Sequence, residues 1–107
     1  MNYAVNILID AEHDLVDIYE YVAINDSPDQ AIELLGNLKT LCLSLENNPN
    51  RGHIPPELAH VSVLAFLEVH YKPYRVIYQV LENFVYIHAV LDGRRDMQTL
   101  LQERLLR

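Results

Sequence analysis

The segment from Tyr74 to Leu91 restricts the fold of this chain more than any other part of its sequence. It consists of two runs, YRVIYQVL and FVYIHAVL, in which β-branched and aromatic residues alternate with other types. Only Glu82 and Asn83 separate the two runs. Runs of this composition are typical of β-strands. Because a two-residue link can join only antiparallel neighbours, the pattern predicts a β-hairpin.

The N-terminal residues predict a strand followed by a helix. Tyr3–Ile9 has the composition of a strand, and Asp10 stands where an N-cap residue would accept a backbone hydrogen bond. The helix is expected to run from there to about Ile24. Its apolar residues recur at the spacing of one helical face. That stripe consists of Ala11, Leu15, Ile18, Tyr19 and Val22.

A second helix has the clearest start signal in the chain. Ser27 is followed by Pro28 and, three positions after the serine, by Gln30, which is a capping-box pattern with proline at the first helical position. Leucines and Cys42 then repeat at intervals of three and four residues as far as Leu45. Cys42 belongs to this apolar stripe, so we interpret it as a small core residue and not as a nucleophile.

The remaining residues complete an α+β fold. Residues 47–56 form a loop rich in asparagine and proline, and Val61–Tyr71 is predicted to be a strand that precedes the hairpin. Met97, Leu100, Leu101 and Leu105 predict a closing helix. The expected order is therefore β-α-α-β-β-β-α, with a small antiparallel sheet, two N-terminal helices packed on one of its faces and a C-terminal helix.

Composition favours a single soluble domain. A chain of 107 residues, half of them hydrophobic, can bury one core, so we expect one domain over residues 1–107. The single cysteine cannot form an internal disulfide, which favours a reducing compartment. No apolar run approaches the ~20 residues that cross a bilayer. We therefore expect a cytoplasmic protein with no membrane partner.

Acidic residues dominate the first half of the chain, and basic residues gather towards its end. The formal net charge is −7. Residues 1–50 contain nine acids and one base, whereas residues 51–107 contain six acids and seven bases. Because nonspecific nucleic-acid binding depends on neutralising phosphates, this charge argues against general DNA or RNA binding. The arginines of the second half nevertheless predict a local site for a partner or an anion: Arg75, Arg94, Arg95, Arg104 and Arg107.

Period-two alternation predicts that one face of the sheet is polar. In the last strand Val85, Ile87, Ala89 and Leu91 are expected to face the helices together. The opposite face would carry Glu68, His70, Arg75, Gln79, Tyr86 and His88. These residues could be ordinary cross-strand pairs or a partner-binding surface. They could also carry out metal-free phosphodiester cleavage, with a general base, a general acid and an arginine for the phosphate charge.

The sequence predicts no metal site and no cofactor. His13, His53 and His60 are scattered, and neither an HxxxH nor a CxxC pattern is present.

Four short patterns occur in a fixed order along nearly the whole chain. They are DLVDIYEY at residues 14–21, NPNRG at 48–52, YRVIY at 74–78 and GRRD at 93–96. Together they resemble the RelE/ParE superfamily of bacterial toxins, and the first pattern is closer to the ParE branch. The resemblance implies the toxin of a type II toxin–antitoxin system, of the kind linked to plasmid stabilisation, that is neutralised by a cognate antitoxin.

The ParE branch implies a toxin that acts by binding DNA gyrase without hydrolysing a substrate. On this hypothesis the residues in contact with the target or the antitoxin are aromatic residues of the first helix and arginines of the C-terminal segment. They are Tyr19, Tyr21, Arg94, Arg95, Arg104 and Arg107. Arg94 and Arg95 could instead be paired internally with Asp92 and Asp96.

The RelE branch implies a different function, ribosome-dependent cleavage of mRNA. Arg75 and Arg95 match two of its functional positions, whereas its lysine pair falls on Phe66 and Glu68 and its C-terminal tyrosine falls on Leu101. The alternative is therefore a metal-free endoribonuclease that acts on the ribosome and mRNA. Its catalytic residues would be Arg75, Arg95 and His88, with Glu68 or His70 in the acid/base role. A third alternative is a non-toxic family member that retains only antitoxin binding.

Overall fold

The computed structural model describes residues 2–106 and has the predicted α+β fold. The predicted order of strands and major helices is confirmed, with one short helix added directly after the expected loop, at Pro56–Ala59. The elements are β1 (Ala4–Ile7), α1 (Ile9–Asn25), α2 (Pro28–Leu43), α3 (Pro56–Ala59), β2 (Leu67–Tyr71), β3 (Tyr74–Leu81), β4 (Phe84–Asp92) and α4 (Met97–Leu105). Single 3₁₀ turns lie at Ser44–Glu46 and Pro49–Arg51. Within the described residues, no helix combines the length and the apolar character needed to cross a membrane.

The four strands form a mixed sheet in the order β1-β4-β3-β2. The hairpin of β3 and β4 is antiparallel as predicted, and β2 pairs antiparallel with β3. The first strand differs from the expectation of a wholly antiparallel sheet, because β1 runs parallel to β4. A parallel pairing needs a long crossover connection, which the two helices and the strands after them provide here.

Helices cover both faces of the sheet. As predicted, α1 and α2 pack on one face, where they enclose the larger core cluster. The smaller helices α3 and α4 cover the opposite face with a second cluster. That second cluster consists of Leu58, Ile77, Ala89, Leu91, Met97 and Leu101. The prediction of an open polar face was therefore wrong in the middle of the sheet, and polar residues remain only around this apolar patch.

A β-bulge explains why the predicted alternation fails in β4. Ile77 pairs with Ala89 and Tyr78 pairs with Ile87, so His88 has no partner on β3. Because side chains alternate between the two faces of a sheet, one extra residue moves every later side chain of the strand to the opposite face from the one that simple alternation predicts. Ile87 therefore packs with α1 and α2, whereas Ala89 packs with α3 and α4.

Two predicted boundaries also differ from the structure. The N-cap of α1 is Leu8, which is extended and makes no side-chain cap, while Asp10 lies in the first turn. An acid is favourable there because the N-terminus of a helix carries partial positive charge. By contrast, the predicted capping of α2 is confirmed, since the Ser27 side chain accepts a hydrogen bond from the Gln30 N–H at 3.1 Å.

The strand β2 is shorter than the predicted Val61–Tyr71. It begins only at Leu67, because the chain before it turns back over α3. Ser62 has a φ of 62°, in the left-handed region, and the N–H of Val63 donates to the carbonyl of Leu58 at 2.8 Å. β-branched composition alone could not reveal this reversal, since no glycine or proline marks it.

Cys42 is fully buried on the inner face of α2, as predicted for a core residue. Burial is the main cause that raises the pKa of its thiol to about 12, with the charge of Glu12 adding to the effect. Because the thiolate is the reactive form, this environment keeps Cys42 inert.

Candidate functional site

The guanidinium group of Arg75 in β3 is bound by two carboxylates. Its Nε donates to Glu68 Oε1 at 2.6 Å, and its Nη1 and Nη2 donate to the two oxygens of Glu57 at 2.9 and 2.6 Å. These hydrogen bonds lower the pKa of Glu57 and raise that of Arg75. The charge that a phosphate would require is therefore already neutralised inside the protein.

Two histidines complete this arrangement, which we call the Glu68 cluster (Glu57, Glu68, Arg75, His53 and His70). The Nε2 atom of His53 lies 3.0 Å from Glu68 Oε2, and that of His70 lies 3.3 Å from Glu68 Oε1. Glu68 itself is only 1% exposed. The sequence predicted that Glu68, His70 and Arg75 share a face of the sheet, but it did not predict that Glu57 and His53 join them.

His53 reaches the cluster through a single backbone bridge at the outer edge of β2. Its N–H donates to the Glu68 carbonyl at 3.2 Å, and the Glu68 N–H donates to the His53 carbonyl at 2.7 Å. The preceding loop is fixed from inside by Tyr78, whose hydroxyl donates to the Pro49 carbonyl at 2.6 Å. Nothing in the local sequence around His53 signals this pairing, because it joins a loop to a strand fifteen residues later.

His88 belongs to a different environment. Its Nε2 lies 3.3 Å from Gln79 Oε1, and its ring packs edge-on against Phe66 with centroids 5.1 Å apart. Burial, and then the charge of Arg104, lower the pKa of His88 below its ordinary value. Within residues 2–106, no hydrogen bond joins His88 to Arg75 or Glu68. The four residues proposed for a nuclease therefore do not form one hydrogen-bonded site.

Arg104 of α4 and Asp14 of α1 form a bidentate ion pair. The Nη1 and Nη2 atoms of Arg104 lie 2.9 and 3.0 Å from the two Asp14 oxygens. Asp14 also accepts from the Val90 N–H at 2.9 Å, and Arg104 donates to the His88 carbonyl at 3.1 Å. The pair thus provides hydrogen-bond partners for the His88 carbonyl and the Val90 N–H of β4, which lie beyond the residues that pair with β1. Both residues therefore stabilise the fold.

The two arginines of the GRRD segment, Arg94 and Arg95, differ in their contacts. Arg94 pairs with Asp92, with Nη2 and Oδ2 2.7 Å apart, on the protein surface. Asp96 instead caps α4 by accepting from the N–H and hydroxyl of Thr99 at 3.2 and 2.8 Å. Among residues 2–106, the guanidinium of Arg95 has no ion pair and no hydrogen bond. Arg95 is therefore the C-terminal arginine of the described chain that remains available to a partner.

Arg95 lies at the edge of a groove between α1 and the end of β4, which we call the α1–β4 groove. Its volume is about 320 Å³. The predicted contact residue Tyr21 lines it from α1 and is 67% exposed. The groove is lined by Asp14, Asp17, Ile18, Tyr21, Tyr74, Val90, Leu91, Asp92 and Arg95. It brings together two of the predicted contact residues, Tyr21 and Arg95, and its other lining residues were not predicted.

The other predicted contact residues lie elsewhere. Tyr19 is half-buried on α1 and does not line the groove. Arg94 and Arg104 are engaged in the pairs described above, and Arg107 lies outside the described residues. The alternative of internal pairing is thus realised for Arg94 through Asp92, but Asp96 is used as a helix cap.

The fold is shared with solved toxin–antitoxin systems. A chain titled as the chromosomal ParDE system from P. aeruginosa has 17% sequence identity and a TM-score of 0.69, with 82% of this chain and 92% of that chain covered. The toxin–antitoxin complex RelBE2 from Mycobacterium tuberculosis has 18% identity and a TM-score of 0.62, with 84% and 96% covered. At these identities the likeness establishes the fold alone.

Sequence comparison gives the family. No curated protein matches the sequence significantly. Residues 5–97, however, match the family described as the ParE toxin of type II toxin–antitoxin systems, parDE. That match spans β1 to the first residue of α4 and includes all four patterns on which the resemblance was based. The chain therefore belongs to the ParE toxin family of type II toxin–antitoxin systems.

Proposed function

We propose that this toxin acts by binding a cellular target of the DNA gyrase class, without hydrolytic chemistry, and that a cognate antitoxin neutralises it. The observation that carries the proposal is the neutralisation of Arg75 by Glu57 and Glu68. An arginine that stabilises a cleaved phosphodiester needs free donors facing the substrate. Here the Nε and both terminal nitrogens already donate to carboxylates.

The α1–β4 groove offers the chemistry of a protein contact. Tyrosine and arginine are the commonest energetic anchors of interfaces, and Tyr21 and Arg95 both line this groove. Among residues 2–106, neither the Tyr21 hydroxyl nor the Arg95 guanidinium has a hydrogen-bond partner. Three residues after Tyr21 on α1, Ile24 is 83% exposed. Exposed apolar and aromatic residues on α1 together with the cation of Arg95 fit a partner with an apolar anchor and an acidic side chain.

Neutralisation by an antitoxin is supported by family membership. The two similar structures are a toxin–antitoxin system and a toxin–antitoxin complex. We expect the reading frame adjacent to this one to encode a small partner. Co-expression of that partner should restore growth and yield a stable complex on purification, and failure to bind would contradict this part of the proposal.

Induction in cells tests the mode of action. We expect DNA damage signalling and filamentation to precede any arrest of translation, and messages to remain intact. The double substitution Tyr21→Ala with Arg95→Ala should abolish toxicity while the protein stays folded. Lys39→Ala is the matched control, because Lys39 is an exposed cation on α2, away from the groove.

Two results would overturn the proposal. Cleaved messages that disappear with Arg75→Ala would establish the endoribonuclease alternative. Harmless induction of a protein shown by circular dichroism to be folded would establish the non-toxic alternative. In vitro, we expect the wild-type toxin to inhibit purified gyrase and the double variant not to inhibit it. This assay distinguishes direct action on gyrase from an indirect effect in cells.

A further inference from the structure

We propose that His53, Glu68 and His70 form a binding site for a divalent metal ion of the zinc type. Two imidazole nitrogens and one carboxylate oxygen from these residues lie within 4.8 Å of one another. Imidazole nitrogen with carboxylate oxygen is a donor set suited to Zn²⁺, Co²⁺ and Ni²⁺ and poorly suited to Mg²⁺ or Ca²⁺. None of the three residues lines the α1–β4 groove.

The donor atoms lie close enough together to surround one ion. Ligands held ~2.0–2.1 Å from zinc in a tetrahedron lie roughly 3.3 Å apart along each edge. The nitrogen of His53 is 3.0 Å from Glu68 Oε2, and that of His70 is 3.3 Å from Glu68 Oε1. The two nitrogens thus face different oxygens of one carboxylate. The exposed rings of His53 and His70 would have to rotate to place all three donors, which now lie within 4.8 Å of one another, around one ion.

The carboxylate of Glu68 is oriented for this role. Arg75 Nε is hydrogen-bonded to Oε1, which leaves Oε2 facing His53. Glu57 holds the other side of the Arg75 guanidinium through two hydrogen bonds. Outer partners of this kind fix the direction of a ligating group.

The site is accessible and has room for a fourth ligand. His53 is 61% and His70 is 37% exposed in their side chains, while Glu68 is buried. All three line a surface cleft of about 420 Å³ that also includes Arg51 and Gly52. A bound ion would thus hold three protein ligands and a water molecule, and it would clamp the loop before His53 to the edge of β2.

Zinc titration of the metal-free, untagged protein tests the proposal. We expect one ion per chain by isothermal calorimetry and a rise in the thermal midpoint with zinc, because an ion that binds the folded state stabilises it. With Co²⁺ as the probe, the intense visible absorption of a tetrahedral site should appear. Magnesium should produce neither effect.

Substitutions locate the ion. His53→Ala and His70→Ala should each weaken zinc binding by more than about tenfold, since even changes to outer partners of a metal ligand cost about 10–100-fold. His13→Ala and His60→Ala remove exposed histidines outside the cluster and should leave the affinity unchanged. The exposed position of His53 makes its variant safe for folding, which circular dichroism would verify.

Glu57→Gln distinguishes the orienting role from direct ligation. It should weaken zinc binding about tenfold while the cobalt spectrum keeps its tetrahedral form, because the three ligands remain. Absence of one-to-one binding by the wild-type protein would overturn the proposal. Equal binding by the wild type, His53→Ala and His60→Ala would also overturn it, as adventitious surface binding only. Zinc binding would not depend on which cellular target the toxin has.

Discussion

The hydroxyl of Tyr78 in β3 holds the Gly52 backbone close against the sheet through a hydrogen bond. The Gly52 N–H donates to that hydroxyl at 3.1 Å, and the hydroxyl donates to the Pro49 carbonyl. A Cβ at position 52 would lie 2.5 Å from the Tyr78 oxygen and 2.6 Å from the Glu68 carbonyl. Two of the four sequence patterns, NPNRG and YRVIY, are thus the two sides of one buried contact.

Tyr78→Phe should lower the free energy of unfolding by about 1–3 kcal/mol. The ring remains in its fully buried place, but the Gly52 N–H and the Pro49 carbonyl lose their partner. Urea denaturation followed by circular dichroism measures the change. Tyr71→Phe is the control, since among residues 2–106 its hydroxyl makes a single, exposed hydrogen bond, with the Asn37 amide. Equal, small effects of both variants would contradict the role of Tyr78.

Asp14→Ala should lower the free energy of unfolding by roughly 3 kcal/mol, the cost typical of breaking a largely buried ion pair from one side. It leaves the Arg104 guanidinium without its carboxylate and the Val90 N–H without an acceptor. Asp17→Ala, an exposed position one turn further along α1, should change stability little. Chemical denaturation of the two variants in parallel measures the difference. A similar loss of stability in both would show that the overall negative charge of α1, and not the Asp14–Arg104 ion pair, determines the effect.

Locally signalled elements of this fold were predictable, and those made by distant contacts were not. The Ser27 cap and the two-residue turn at Glu82–Asn83 are encoded within a few residues, so α2 and the hairpin matched the prediction. The parallel pairing of β1 and the bulge at His88 depend on how whole elements pack. No window of sequence contains that information.

In the candidate site, too, some residues could be predicted from the sequence, whereas the contacts between distant residues could not. Tyr21 and Arg95 were predicted as contact residues, and the structure places both at one groove. The ion pairs were not predictable, because Asp14 and Arg104 are 90 residues apart in the chain. Of the basic residues gathered towards the end of the sequence, Arg75 and Arg104 are neutralised by acids from earlier elements and Arg94 by the nearby Asp92, whereas Arg95 is unpaired among residues 2–106.

His88 should make the protein less stable as the pH falls below its ordinary pKa near 6.5. Burial and Arg104 lower its pKa in the folded state, so the unfolded chain binds more protons over this range. The contribution of neutral His88 is complete above 6.5 and is lost as the pH falls through the lowered pKa. Urea midpoints between about pH 5 and 7 should therefore fall with acidity. His88→Gln should flatten this trend and the exposed His13→Gln should not, whereas an unchanged trend in His88→Gln would contradict the assignment.

Gly36→Ala should stabilise the protein by about 0.5–1 kcal/mol, because glycine in the interior of a helix costs that much relative to alanine. Gly36 lies within α2 on its exposed side, and an added Cβ would meet nothing within 4 Å. Gly52→Ala makes the same chemical change where the Cβ would collide with the Glu68 backbone, so it should destabilise. Thermal and urea unfolding of the two variants should shift in opposite directions. A loss of stability in Gly36→Ala would contradict the open space around this position.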